Sequence, residues 1–163
     1  MSAWVIEAEP VDDAGIDALI REFTAEVGRR LLGRPATGAE LRAVLDRDPH
    51  GDLAPPRGTF LVARDDDGDL IGCVGARLLD DLPATAELKR MYVRPAHRGA
   101  GVGRALLVAA EQAAAALGAT RIVLDTRTVL VEARTLYSSH GYRETAPYND
   151  HGDAEHWYAK TLR

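Results

Sequence analysis

The sequence has one cysteine, Cys73, so it can form no internal disulfide, and that usage fits a reducing compartment. No apolar run approaches the ~20 residues that a membrane span needs, and no membrane partner is expected. The opening Met1-Ser2-Ala3-Trp4-Val5-Ile6-Glu7 lacks a basic region followed by an apolar core, so no secretion signal is read there. Lysine is scarce: Lys89 and Lys160 are the two lysines among 20 basic residues, set against 25 acidic ones. The resulting net charge of −5 argues against a nucleic-acid partner, which calls for a basic face. No internal repeat, linker or low-complexity segment divides the chain. What is present is ordinary for a soluble globular protein, 46% apolar and 28% charged. Residues 1–163 read as one domain, long enough to bury roughly 68–70% of its unfolded surface, and a cytoplasmic location is expected.

Against this background one stretch stands out, Leu88 to Arg104. Met91, Tyr92 and Val93 suit a pleated strand, and Pro95 stops its ladder. Val102, Leu106, Ala110, Ala113 and Leu117 then recur by threes and fours, the spacing of a helix, and Gly118 sits where a left-handed C-terminal cap belongs. The start of that helix is unusual. Its first positions are Gly99, Ala100 and Gly101, where Ser, Thr, Asp or Asn would normally occupy the free N–H groups. Bare N–H groups at the positive end of a helix dipole, with Arg98 and Arg104 alongside, make a site for a phosphate or pyrophosphate. The basic run Lys89, Arg90, Arg94, His97, Arg98, Arg104 supports the same reading in an acidic chain.

Three phosphate-binding patterns compete for these residues. A P-loop requires Gly-Lys-Ser/Thr, and here the last glycine precedes Arg104-Ala105. A dinucleotide fingerprint requires a third glycine where Arg104 stands, although Asp125, ending the next strand, imitates its ribose-binding acid. The third pattern, Arg/Gln-x-x-Gly-x-Gly/Ala, is matched without a gap by Arg98-Gly99-Ala100-Gly101-Val102-Gly103. Here the chain resembles the GNAT superfamily of acyl-CoA-dependent N-acetyltransferases, whose loop of this kind holds the pyrophosphate of coenzyme A. Leu136-Tyr137-Ser138-Ser139-His140-Gly141-Tyr142 is similar to the family's Leu-Tyr-x-x-x-Gly-Phe/Tyr segment. One departure is clear. Many members carry Asn seven residues before the tyrosine to meet the pantetheine arm, and here that residue is Leu130.

The remaining pattern agrees with this resemblance over nearly the whole chain. Trp4–Ala8 reads as a strand, and Asp12 as the cap of a helix bearing Ile16, Leu19, Ile20, Phe23 and Val27. Thr37 and Glu40 form a capping box for a second helix through Leu45. Thr59–Arg64, Leu70–Leu79 and Ala86–Val93 are three antiparallel strands joined by hairpins. Arg121–Asp125 is a short buried strand, parallel to the fourth because a helix joins them. A helix over about 129–140 follows, and Tyr142–Thr145 with His156–Leu162 closes the sheet. The expected fold is α/β (α+β): a mixed sheet of about seven strands flanked by helices, with the fourth and fifth strands parallel and splayed.

The resemblance implies acetyl-CoA as cofactor. It also implies that the backbone of Met91, Tyr92 and Val93 pairs with the pantetheine arm, and that Arg98, Gly99, Ala100, Gly101, Val102, Gly103 and Arg104 hold the pyrophosphate. An alkyl ammonium has a pKa of ~10.4, so acetylation at neutral pH needs a base. Glu87, eleven residues before Arg98, stands where histone-acetylating members carry theirs. Tyr137 is the candidate acid for the leaving thiolate. Tyr148, Asn149 and His151 are the candidate acceptor contacts. No metal-ligand spacing is found among His140, His151 and His156. Cys73, with no His or Asp at a recognisable spacing, reads as a small buried hydrophobe, which argues against an acetyl-enzyme. The expected activity is acetyl transfer to a small primary amine by direct attack in a ternary complex, with a homodimer as an allowed assembly. The alternatives are a protein or peptide acetyltransferase and a non-catalytic acyl-CoA sensor.

Overall fold

The structure, a computed structural model, describes residues 3–163; Met1 and Ser2 of the leader reading lie outside it. Seven strands form one sheet: β1 (Trp4–Ala8), β2 (Gly58–Asp65), β3 (Leu70–Leu78), β4 (Thr85–Val93), β5 (Arg121–Thr126), β6 (Arg143–Glu144) and β7 (His156–Thr161). Their spatial order is β1-β2-β3-β4-β5-β7-β6. Every pairing is antiparallel except β4 with β5, where a crossover helix forces the parallel arrangement. The four α-helices are α1 (Ala14–Leu32), α2 (Gly38–Arg47), α3 (Val102–Ala116) and α4 (Val131–Ser139). The expected mixed sheet with a parallel fourth and fifth strand is therefore observed.

The central strands are covered on both faces, which is why they read as nearly continuous apolar runs. Phe60 and Val62 of β2 join Ile16, Leu19 and Ile20 of α1 in one buried cluster. Leu61 and Ala63, one residue out of phase, join Leu106, Leu107 and Ala110 of α3 in the other. No helix in the described residues is long and apolar enough to cross a membrane.

Two helix starts differ from the sequence expectation. The cap of α1 is Asp13, not Asp12: its Oδ2 accepts from the N–H groups of Gly15 (2.9 Å) and Ile16 (3.2 Å). The last long helix begins at Val131 rather than near 129, because Leu130 has φ −86° and ψ 63°, outside the helical region. The capping box of α2 forms as expected. Thr37 Oγ1 accepts from Glu40 N–H, and Glu40 Oε1 accepts from Thr37 N–H.

Candidate active site

Everything in the site follows from where β4 leaves β5. Their parallel pairing runs from Thr85↔Arg121 to Glu87↔Val123 and stops, whereas β5 continues beside β7 as far as Thr126↔His156. The β3–β4 register passes from Gly75↔Lys89 to Cys73↔Tyr92, so β4 carries one extra residue there. Such a bulge bends its strand and increases its twist. Arg90 takes the strain, with φ +59°. Its guanidinium pairs with Asp48, at the C-terminal end of α2, through Oδ2 and the backbone carbonyl. Lys89 Nζ meets Asp48 Oδ1 as well, so one carboxylate of the α2 terminus fastens the bulge from outside the sheet. It is held below the usual carboxylate range because the two cations outweigh the burial that opposes them.

Two cavities open along the parted strands. One, of about 410 Å³, runs from Met91, Tyr92 and Val93 past Arg98, Gly99, Gly101, Val102, Gly103 and Arg104 to α4. Ala100 is exposed and does not line it. The other, of about 450 Å³, lies beneath α1 and α2 and contains Glu87, Asp125, Tyr137 and His151. They adjoin at Phe23, Met91, Leu130 and Ala133.

The first cavity meets the start of α3. Gly101 is the N-cap at φ +93°, and no side chain caps the helix. Glycine is required there for backbone conformation, since a side chain at that φ would be strained. The N–H groups of the first turn are thus free of side-chain acceptors, the condition for an anion site. The two arginines behave differently. Arg104 is exposed beside the loop. The guanidinium of Arg98 donates to Glu26 of α1 at 2.8 and 3.0 Å and to the Val93 carbonyl at 2.8 Å. Its charge is already neutralised in this conformation.

Tyr137 reaches the second cavity from the last turn of α4. Gly141 adopts φ +86°, and the Tyr142 N–H returns to the Tyr137 carbonyl at 3.1 Å. This is a Schellman stop, completed by contact between the two aromatic rings at 5.7 Å. The spacing Tyr-x-x-x-Gly-Tyr is therefore the geometry of a helix terminus. Burial holds the Tyr137 phenol protonated well above its ordinary pKa. Among the described residues its hydroxyl has no hydrogen-bond partner.

The carboxylates of the second cavity are arranged unequally. Glu87 is 4% exposed and both of its oxygens are engaged. Oε1 accepts from Arg77 Nε (3.0 Å) and a terminal nitrogen (2.8 Å), and Oε2 accepts from the Tyr148 hydroxyl at 2.7 Å. The partner is Arg77, directly opposite in the β3–β4 register, rather than the neighbouring Lys89 or Arg90. Burial and the Glu87 charge keep the Tyr148 phenol protonated. Asp125 is the next-to-last residue of β5, which runs one residue further than the sequence suggests, and it accepts from Asn149 Nδ2 at 2.8 Å. That amide is itself oriented: Asn149 Oδ1 accepts from the Trp157 indole at 2.9 Å, and an indole N–H can only donate. Burial, reinforced by Glu87, raises the Asp125 pKa. His151 lines the same cavity, with Nε2 3.7 Å from Asp48 and Nδ1 buried without a partner.

The structure thus brings together Glu87, Tyr137, Tyr148, Asn149 and His151, and it gathers Met91 to Val93 with the glycine loop around the adjoining groove. Sequence reasoning missed the place of Asp125, seen there only as an imitation of another motif, and the roles of Arg77 and Asp48. A carboxylate closing the apolar run Ile122-Val123-Leu124 was the available signal. Cys73 is fully buried, and burial pushes its thiol up to about 12, so it offers no thiolate at neutral pH.

Comparison with known proteins bears on this geometry. The sequence profile of the acetyltransferase (GNAT) family matches residues 25–142. An uncharacterised N-acetyltransferase of Schizosaccharomyces pombe is 41% identical over 139 residues, 85% of this chain and 81% of that one. An aminoglycoside N(6')-acetyltransferase of Stenotrophomonas maltophilia is 32% identical over 57% of this chain and 65% of its own length. The crystal structure of the PaiA N-acetyltransferase from Thermoplasma acidophilum, in complex with coenzyme A, superposes with a TM-score of 0.71 at 18% identity. That match covers 96% of this chain and 99% of the other.

Proposed function

The chain belongs to the GNAT family of acetyltransferases, and from that premise we propose that it moves an acetyl group from acetyl-CoA to the primary amine of a small molecule, by direct attack in a ternary complex. The family uses acetyl-CoA, which when bound would supply an activated thioester. The residues present fit it. The uncapped first turn of α3, with Arg104, suits a pyrophosphate. The β4 edge beyond Glu87, with no strand beside it, suits an extended amide-bearing arm at Met91, Tyr92 and Val93. A backbone N–H of that edge can serve as the oxyanion donor.

The observation that carries the reading is the junction of the two cavities: the groove from the bare helix start opens at Met91 and Leu130 into a chamber that holds the Glu87 and Asp125 carboxylates and the protonated Tyr137 phenol. Tyr137 donates its proton to the leaving thiolate; the phenol is protonated and, among the described residues, its hydroxyl is not committed to another partner. A direct route is favoured because the single cysteine is a buried thiol. A small acceptor is favoured because α1, α2 and the loop residues His151 and Asp153 wall the chamber, and because one relative is named for an aminoglycoside. A turnover screen over a panel of small amines, beside acetylation of whole proteins, tests this. Acetylation confined to proteins would overturn the small-molecule reading.

A further inference from the structure

We propose that Asp125 is the residue that receives the acceptor's ammonium and takes its proton, and that the acceptor is a primary amine with an apolar body. The proton-transfer half of this rests on the acetyltransferase reading; the recognition of a cation does not.

The argument is one of occupancy. Two carboxylates face the reacting end of the chamber, and Glu87 has no oxygen to spare: Arg77 holds Oε1 and Tyr148 holds Oε2. It is also already paired with a full positive charge. Asp125 has one oxygen, Oδ2, fixed by Asn149. Among the described residues its other oxygen has no partner and no cation pairs with it. The cations lining the chamber turn to other carboxylates, Lys89 and Arg90 sharing Asp48, and Arg47 and Arg127 sharing Asp153. Glu40 is matched by Arg34. Of the carboxylates in the lining, Asp125 is therefore, among the described residues, the one that no cation pairs with, in a site where an unpaired charge is costly. A ligand that corrects this carries a positive charge and brings N–H donors.

The body of the ligand is set by the opposite wall. Phe23, Val27, Leu31, Leu32, Leu41 and Val44 of α1 and α2 line the chamber, and α2 buries none of its residues fully. Leu31 and Leu32 are 41% and 46% exposed. An alkyl or aryl group would cover these side chains while its ammonium points to β5.

In the chemical step the N–H bond of the ammonium breaks, its electron pair stays on nitrogen, and the proton passes to the free oxygen of Asp125. The neutral amine then has the lone pair that attack on a thioester requires, and Asp125 later returns its proton to water.

The test measures binding of hexylamine and of uncharged 1-hexanol to the wild type, Asp125→Asn and Glu87→Gln at pH 7 by calorimetry, with the thermal shift given by coenzyme A recorded for each. The asparagine keeps an acceptor for Asn149 and removes only the charge. Expected is a loss of hexylamine affinity of about ten- to a hundredfold in Asp125→Asn, the weight of a charge-assisted hydrogen bond. Hexanol binding should be unchanged there, and Glu87→Gln should lose less hexylamine affinity. Wild type that prefers hexanol or binds no hexylamine, Asp125→Asn that binds hexylamine as wild type does, or a larger loss in Glu87→Gln would overturn the proposal. If the hexylamine results hold but coenzyme A gives no shift and no acetylhexylamine forms, the cation site stands and the acetyltransferase reading falls.

Discussion

Tyr137 shows what a single residue reveals in a sequence and what it hides. Its spacing to Gly141 and Tyr142 was legible because a Schellman stop needs a left-handed residue at one place only. Its free hydroxyl at a junction of cavities was not legible, because that depends on strands distant in sequence. Tyr137→Phe keeps the ring in contact with Tyr142 and Tyr158. We expect turnover to fall roughly 10²–10⁴-fold with acetyl-CoA affinity little changed; steady-state kinetics checks this. Asp125 is the converse case, invisible until β7 and Asn149 fix it. Its folded pKa is raised, so the native state binds the proton more tightly than the unfolded chain does. Stability from this group is then present at low pH and is lost as pH rises from the unfolded carboxylate range through the raised folded value. Glu87 and Lys89 of β4, His151 and Asn149 of the loop and Tyr137 of α4 all face it. Asp125→Asn should accordingly melt at a higher temperature than the wild type at pH 7, with the advantage shrinking toward pH 3 in a series of thermal melts. A residue whose removal stabilises the protein is one kept for function.

Among the elements, the apolar spacing of α3 and its missing cap could be read directly, since both are local. The bulge of β4 could not. The residue that holds it, Asp48, lies some forty residues earlier and meets Lys89 and Arg90 only through the packing of α2. The ion pairs of α1 were hidden for the same reason. Arg98 pairs with Glu26, Glu26 with Arg30, and Arg30 with Glu132 of α4, so α1 bridges the two sides of the groove at the start of α3. Arg104 is the exposed cation of the loop, and Arg104→Glu should raise the Michaelis constant for acetyl-CoA about tenfold or more, with the melting temperature of the free protein little altered. At the end of α4, Gly141→Ala places a side chain at φ +86°. It should cost about 1–2 kcal/mol, read by denaturant unfolding, and reduce turnover by displacing Tyr137.

At the scale of the whole molecule, the order of strands and helices was readable because each carries its own period and its own turn residues. The sheet's interior strands declared themselves as apolar runs, and the crossover helix settled the one parallel pairing. What the sequence withheld was the parting of that pair: three matched positions and then none, a fact of long-range packing. The proposed function stands on that parting, because the two cavities adjoin along it. Initial-rate measurement of thiol release from acetyl-CoA, across a grid of concentrations of a small primary amine, tests it most directly. The account predicts release that depends on the amine, saturates in both substrates and gives intersecting reciprocal lines. Parallel lines, or release that no amine raises above the buffer rate while coenzyme A still stabilises the protein, would contradict it.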